Sequence, residues 1–144
     1  MNRSPDGPMD RSRALARAKR AALAWGVFLL TLTSWPEPPR VPVVSAIPNF
    51  DKVVHLILYA VEAFFIYRAI SWPGKPGFSW ARAAAIVGAM AVWAVADETH
   101  QAWIPGRSME AGDVGADVVG ACIGALVASA LERRDRLELS SRGA

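Results

Sequence analysis

Long apolar stretches, each bounded by clusters of charge, constrain this chain more than any other feature of its sequence. Four can be drawn: Ala21 to Trp35 (AALAWGVFLLTLTSW), Val53 to Ile70 (VVHLILYAVEAFFIYRAI), about Ala83 to Gln101, and Val114 to Leu131 (VGADVVGACIGALVASAL). A helix that crosses a bilayer needs about 20 largely apolar residues. The last three segments come close to that length. The first does so once Arg17, Lys19 and Arg20 run their apolar stems back to the interface. The pattern predicts an all-α membrane bundle of four transmembrane helices. A basic stretch before an apolar core is also the form of a secretory signal. However, the nearest small-residue cleavage pattern, Val44-Ser45-Ala46, lies beyond a Pro-rich stretch, so an uncleaved helix is expected.

The 144 residues allow one domain. The expected division is a basic cytoplasmic tail over 1–20, a four-helix transmembrane domain over 21–132, and a charged cytoplasmic tail over 133–144. A hydrophobic share of 53% is only slightly above that of a soluble domain, so the distribution decides, not the mean. A net charge of +3 without a compact basic surface interleaved with aromatics gives no reason to expect nucleic acid as a partner. The single cysteine, Cys122, lies in an apolar segment, which leaves no disulfide framework and no thiolate metal site. It reads as a small packing residue. No cofactor and no bound metal are expected.

Basic residues set the orientation. Of the 16 Lys and Arg, only Arg40, Lys52 and Arg107 fall in the loops after the first and third segments. The rest lie in the two tails or around the second loop, at Arg68, Lys75 and Arg82. The positive-inside rule therefore places both termini in the cytoplasm and turns the loops Pro36–Phe50 and Ile104–Gly112 outward. Pro73, Gly74, Pro76 and Gly77 punctuate the inner loop with turn chemistry.

This topology gathers polar residues from distant positions at one end. Asp51, Lys52, His55 and Tyr59 open the second segment. Asp97, Glu98, His100 and Gln101 close the third, Arg107 and Glu110 lie in the following loop, and Asp113 and Asp117 open the fourth. Asp51, His55, Tyr59 and Glu62 fall on one helical stripe. Asp97 and Gln101 share a face at i, i+4, as Glu98 and Gln101 do at i, i+3. Asp113, Asp117, Gly120 and Gly124 line up on the fourth segment. The Gly120-x-x-x-Gly124 spacing lets another backbone approach, whether a neighbouring helix or a second copy in a homo-oligomer. Charges at membrane depth cost about 2.5 kcal/mol or more, so they face a partner or a water-filled cavity.

The stretches DKVVHLILY, DETHQAWIPGR and DVGADVVG resemble the VanZ-like family of bacterial membrane proteins. The residues that carry the resemblance are Asp51, Lys52, His55 and Tyr59, then Asp97, Glu98, Gln101, Pro105 and Arg107, then Asp113, Asp117 and Gly120. Asp117 stands where many members have asparagine. The resemblance covers roughly Asp51 to Gly124. It implies a multi-pass protein of the bacterial cytoplasmic (inner) membrane, set in the cell envelope. The family takes its name from a protein that raises resistance to teicoplanin, a glycopeptide with an acyl chain.

Three functions are open to such a cluster. It can bind an amphiphilic or lipid-linked ligand, with Arg107 and Lys52 on an anionic head group and Tyr59, Trp93 and Trp103 along its apolar part. It can act as an enzyme on a lipid-linked phosphate, with Asp51 orienting His55 as a base, Glu98 in support, or Asp97, Glu98 and His100 on a divalent metal. No H-E-x-x-H motif strengthens that reading. It can also be a structural lock of ion pairs closing the end of the bundle.

Overall fold

The computed structural model describes residues 8–36, 48–70 and 79–142, and among these the regular secondary structure is all helix. Four helices follow in order: α1 (Pro8–Thr33), α2 (Phe50–Ile70), α3 (Trp80–Gln101) and α4 (Ala111–Arg142). Where water is excluded, a helix satisfies its backbone N–H and C=O groups within its own segment. Three stretches are long and apolar enough to cross a membrane: Phe50–Ile70, Trp80–Gln101 and Ala111–Asp135. α1 is a continuous helix of 26 residues, and its first half carries the charges from Asp10 to Arg20. α1 and α4 run unbroken through the boundaries expected near Ala21 and Arg133. The inner-loop turn at Pro73–Gly77, Lys75, Arg40 and the Val44-Ser45-Ala46 pattern lie outside the described residues.

The most extensive interface joins α2 to α4, while α1 packs on α2 and α3 on α4. Side-chain pairs give the directions. Lys52 meets Asp113, His55 meets Asp117 and Arg68 meets Asp135, so α2 and α4 run parallel. Arg82 at the start of α3 pairs with Glu132 late in α4, so α3 is antiparallel to both. The Trp25 indole donates to the Leu58 carbonyl at 2.9 Å and the Thr33 hydroxyl to Asp97, which sets α1 antiparallel to α2. The end of α1, the start of α2, the end of α3 and the start of α4 therefore meet at one end of the bundle.

Gly120 and Gly124 bring α4 onto α2 with backbone touching backbone. A Cβ added at Gly120 would collide with the Leu56 carbonyl, and one at Gly124 with the Ala60 carbonyl. The small-residue face of α4 thus serves the interior of the bundle, with Ala121, Ala125 and Ala128 buried alongside it. Large apolar side chains such as Leu23, Ile57, Val92, Val119 and Leu126 point outward. Small residues inside and large apolar ones outside is the arrangement of a bundle solvated by lipid, where close packing replaces the hydrophobic drive between helices.

Gly124→Val should separate α2 from α4 and cost about 1–3 kcal/mol through overpacking. Gly88→Ala, where an added Cβ meets nothing within 4 Å, should leave stability unchanged or raise it. Thermal denaturation of the two purified variants in one detergent checks this ordering.

Candidate functional site

The polar end of the bundle is assembled from all four helices and one turn. α3 contributes Asp97, Glu98 and Gln101 from its last turn, all buried. Positions 97 and 101, and 98 and 101, share a face, and Gln101 uses both spacings. Its amide nitrogen donates to Asp97 Oδ2 at 3.3 Å and to Glu98 Oε1 at 3.0 Å. Its carbonyl oxygen accepts from the Arg107 guanidinium. With carboxylates on one side and a guanidinium on the other, the orientation of this amide is dictated by its neighbours.

Arg107 reaches Gln101 because the chain reverses sharply after α3. The Arg107 N–H donates to the Ile104 carbonyl at 3.1 Å, with Pro105 and Gly106 between them and Gly106 at φ 80°. Proline at the second position and a positive-φ glycine at the third are the requirements of a type II turn. Beyond the turn, the backbone N–H of Glu110 donates to Glu98 Oε2 at 2.9 Å, so both oxygens of the fully buried Glu98 are engaged.

At the start of α2, Lys52 Nζ lies 2.9 Å from Asp51, 3.0 Å from Glu110 and 3.1 Å from Asp113. Its stem occupies the space a side chain at Gly112 would fill. One turn further, His55 Nδ1 sits 3.0 Å from Asp117 Oδ1, both groups buried. Asp117 Oδ2 has no hydrogen-bond partner among the described residues. Thr33 at the end of α1 completes the ring, donating to Asp97 Oδ1 at 2.9 Å.

His55, Glu98 and Asp113 each present one ligand atom, all within 4.8 Å of one another, and all three residues are buried. A histidine nitrogen with carboxylate oxygens is a donor set suited to a divalent transition metal. Asp117 behind His55 stands where a metal-ligating histidine usually has an orienting carboxylate. A second such group, Asp51, Glu110 and Asp113, already surrounds Lys52.

Several sequence expectations are corrected by this geometry. His55 pairs with Asp117 and not with Asp51, because Asp51 sits on the exposed first turn of α2 and turns to Lys52. Asp97, Glu98 and His100 do not form a metal set. Residues two apart on a helix diverge by roughly 200°, and His100 is exposed while Glu98 is buried. Lys52 is held by three carboxylates and is not free for a head group. Tyr59 is fully buried, with its hydroxyl near Asp97, so it cannot line an open apolar site. Trp93 borders a separate cavity midway along α3, and Trp103 is exposed beyond the turn. Asp51, Lys52, His55, Asp97, Glu98, Gln101, Arg107, Asp113 and Asp117 all lie at this end of the bundle. Thr33 was missed, since one hydroxyl at the end of an apolar run carries no periodic signal. Glu110, visible in the loop, proves to be a bridge between Lys52 and Glu98.

The chain matches the VanZ/LLP1 family model over residues 9–132 and belongs to that family. No curated protein and no solved structure matches it significantly. The family match reaches well beyond the motif-bearing stretch from Asp51 to Gly124 and takes in α1.

Glu98→Ala should strand the Gln101 amide and the Glu110 N–H, each at a cost of about 1–3 kcal/mol where buried. Asp51→Ala, at an exposed ion pair, should change stability by less than about 1 kcal/mol. Equal loss in both variants, measured by thermal unfolding, would contradict this account of the cluster.

Proposed function

We propose that this VanZ/LLP1 family member is a multi-pass protein of the bacterial cytoplasmic membrane. Its polar cluster binds the anionic head group of an amphiphilic or lipid-linked ligand on the extracytoplasmic side. In this reading α1 makes a fourth crossing, both termini are cytoplasmic, and residues 21–132 form the membrane domain between charged extensions. Support comes from the distribution of charge. Arg68 and Arg82 lie at the end of the bundle opposite the cluster, together with the basic residues of α1 and the far end of α4.

The observation that carries the reading is Arg107. Lys52 is already neutralised, whereas Arg107 donates to the Gln101 amide and, among the described residues, forms no ion pair. A guanidinium so placed is suited to a phosphate or carboxylate from outside. The surroundings add a condition. Six carboxyl side chains (Asp51, Asp97, Glu98, Glu110, Asp113 and Asp117) face two permanent cations, so an anionic head group needs a further positive charge. A divalent cation on His55, Glu98 and Asp113 would supply it and bridge to a phosphate. The role extends to glycopeptide or lipopeptide resistance if the ligand is the acylated antibiotic or a lipid-linked wall intermediate.

A structural lock is the second reading, favoured by the linked hydrogen bonds that run from Thr33 through Asp97, Gln101 and Glu98 to Glu110 and Lys52. Thermal shifts on the purified chain separate the two. The panel is a lipidated glycopeptide, its unlipidated analogue and undecaprenyl phosphate, each with and without Mg²⁺, Mn²⁺ or Zn²⁺. Binding predicts a saturable, cation-dependent stabilisation that Arg107→Ala abolishes while remaining folded. A shift of about 2.7 kcal/mol is expected at a ligand concentration near 100 times Kd. No shift with any probe, and strong destabilisation in Arg107→Ala, would leave the lock. Conversion of undecaprenyl phosphate during the incubation would instead make the protein an enzyme, with the His55–Asp117 pair at its centre.

A further inference from the structure

A second site lies away from the polar end, midway along the bundle. A cavity of about 500 Å³ opens between α1, α2 and α3, lined by apolar residues including Leu30, Ile66, Met90 and Trp93. Its size falls within the range of small-molecule pockets, roughly 300–1,000 Å³. One charged side chain lines it, Glu62, seven residues inward of His55 on α2. Glu62 is only 9% exposed, and its Oε2 is buried without a hydrogen-bond partner. Among the described residues no cation and no donor reaches it. The carboxyl fits there because Gly26 of α1 has no side chain: a Cβ at that position would lie 3.2 Å from Glu62 Oε1.

A carboxyl at this depth is costly, and such groups normally face a partner or a functional cavity. The walls say what the partner is. An inorganic divalent cation needs about six or more oxygen ligands or retained waters, and this cavity offers one carboxyl. An anion is repelled by it. A neutral acyl chain fills the apolar space but leaves the carboxyl unmatched. The complement is a single positive charge carried on a bulky apolar skeleton, and the Trp93 indole adds a face that attracts cations. We infer that this cavity is a binding site for lipophilic organic cations, with Glu62 as the counter-ion. The site is independent of the head-group reading above, since it shares no residue with the polar cluster.

Equilibrium binding of radiolabelled tetraphenylphosphonium to the full chain in lipid nanodiscs tests this. Radiolabelled tetraphenylborate, an anion of the same shape, is measured in separate samples. The expected result is saturable binding near one per chain for the cation and none for the anion. Glu62→Gln should weaken it about tenfold or more. Ala89→Phe, which fills the cavity without altering the carboxyl, should also abolish it, and Gly88→Ala should leave it intact. Two variants acting from different walls keep the test decisive if one fails to fold. Equal binding by Glu62→Gln, equally tight binding of tetraphenylborate, or no saturable binding of the cation in the wild type would each overturn the inference.

Discussion

The contact of Gly120 and Gly124 with the backbone of Leu56 and Ala60 fixes how α4 lies on α2, and the rest of the polar end depends on it. Because the two helices run parallel and nearly touch, residue 52 is brought to 113 and residue 55 to 117. A shift of one helical turn, about 5.4 Å, would carry Lys52 away from Asp113 and leave His55 beside a different face. The ion pairs do not choose this register unaided. Buried pairs often add little net stability, but they penalise wrong arrangements heavily. Glycine contact and charge pairing therefore act together, the first allowing the approach and the second rejecting its alternatives.

α3 is held differently. At one end Ser79 caps it, accepting from the Arg82 N–H, and Arg82 reaches Glu132 and stacks over Tyr67. At the other end Glu98 and Gln101 tie it to the turn and to α4. Between these ends its interior contacts are apolar, through Ile86, Met90 and Ala94. A helix pinned at both termini by polar groups and packed by modest apolar side chains between them can leave room beside α1, and the mid-bundle cavity lies there.

Much of this was legible in the sequence. Apolar length foretold the helices, and the i, i+3 and i, i+4 spacings foretold that Gln101 would share a face with Asp97 and Glu98. Gly120 and Gly124 announced a close approach. What spacing could not decide was choice among partners across helices. Asp51 and Asp117 were both within reach of His55 in principle, and only the α2–α4 register selects Asp117. Likewise, Lys52 looked like a free cation because two of its three carboxylates, Glu110 and Asp113, close on it only in the folded state. Thr33 and the emptiness around Glu62 are consequences of α1 packing, which no periodic pattern records.

The polar end also has a history within each molecule. Asp97 and Glu98 precede the Glu110 N–H in the chain, so a ribosome delivers these acceptors, with Thr33 and Gln101, before the last of their donors. Until the turn at Pro105-Gly106 and residue 110 are made, Glu98 Oε2 lacks its donor, while Asp97 and Glu98 Oε1 already have Thr33 and Gln101. Helix α4 thus completes the site, bringing Asp113 to Lys52 and Asp117 to His55.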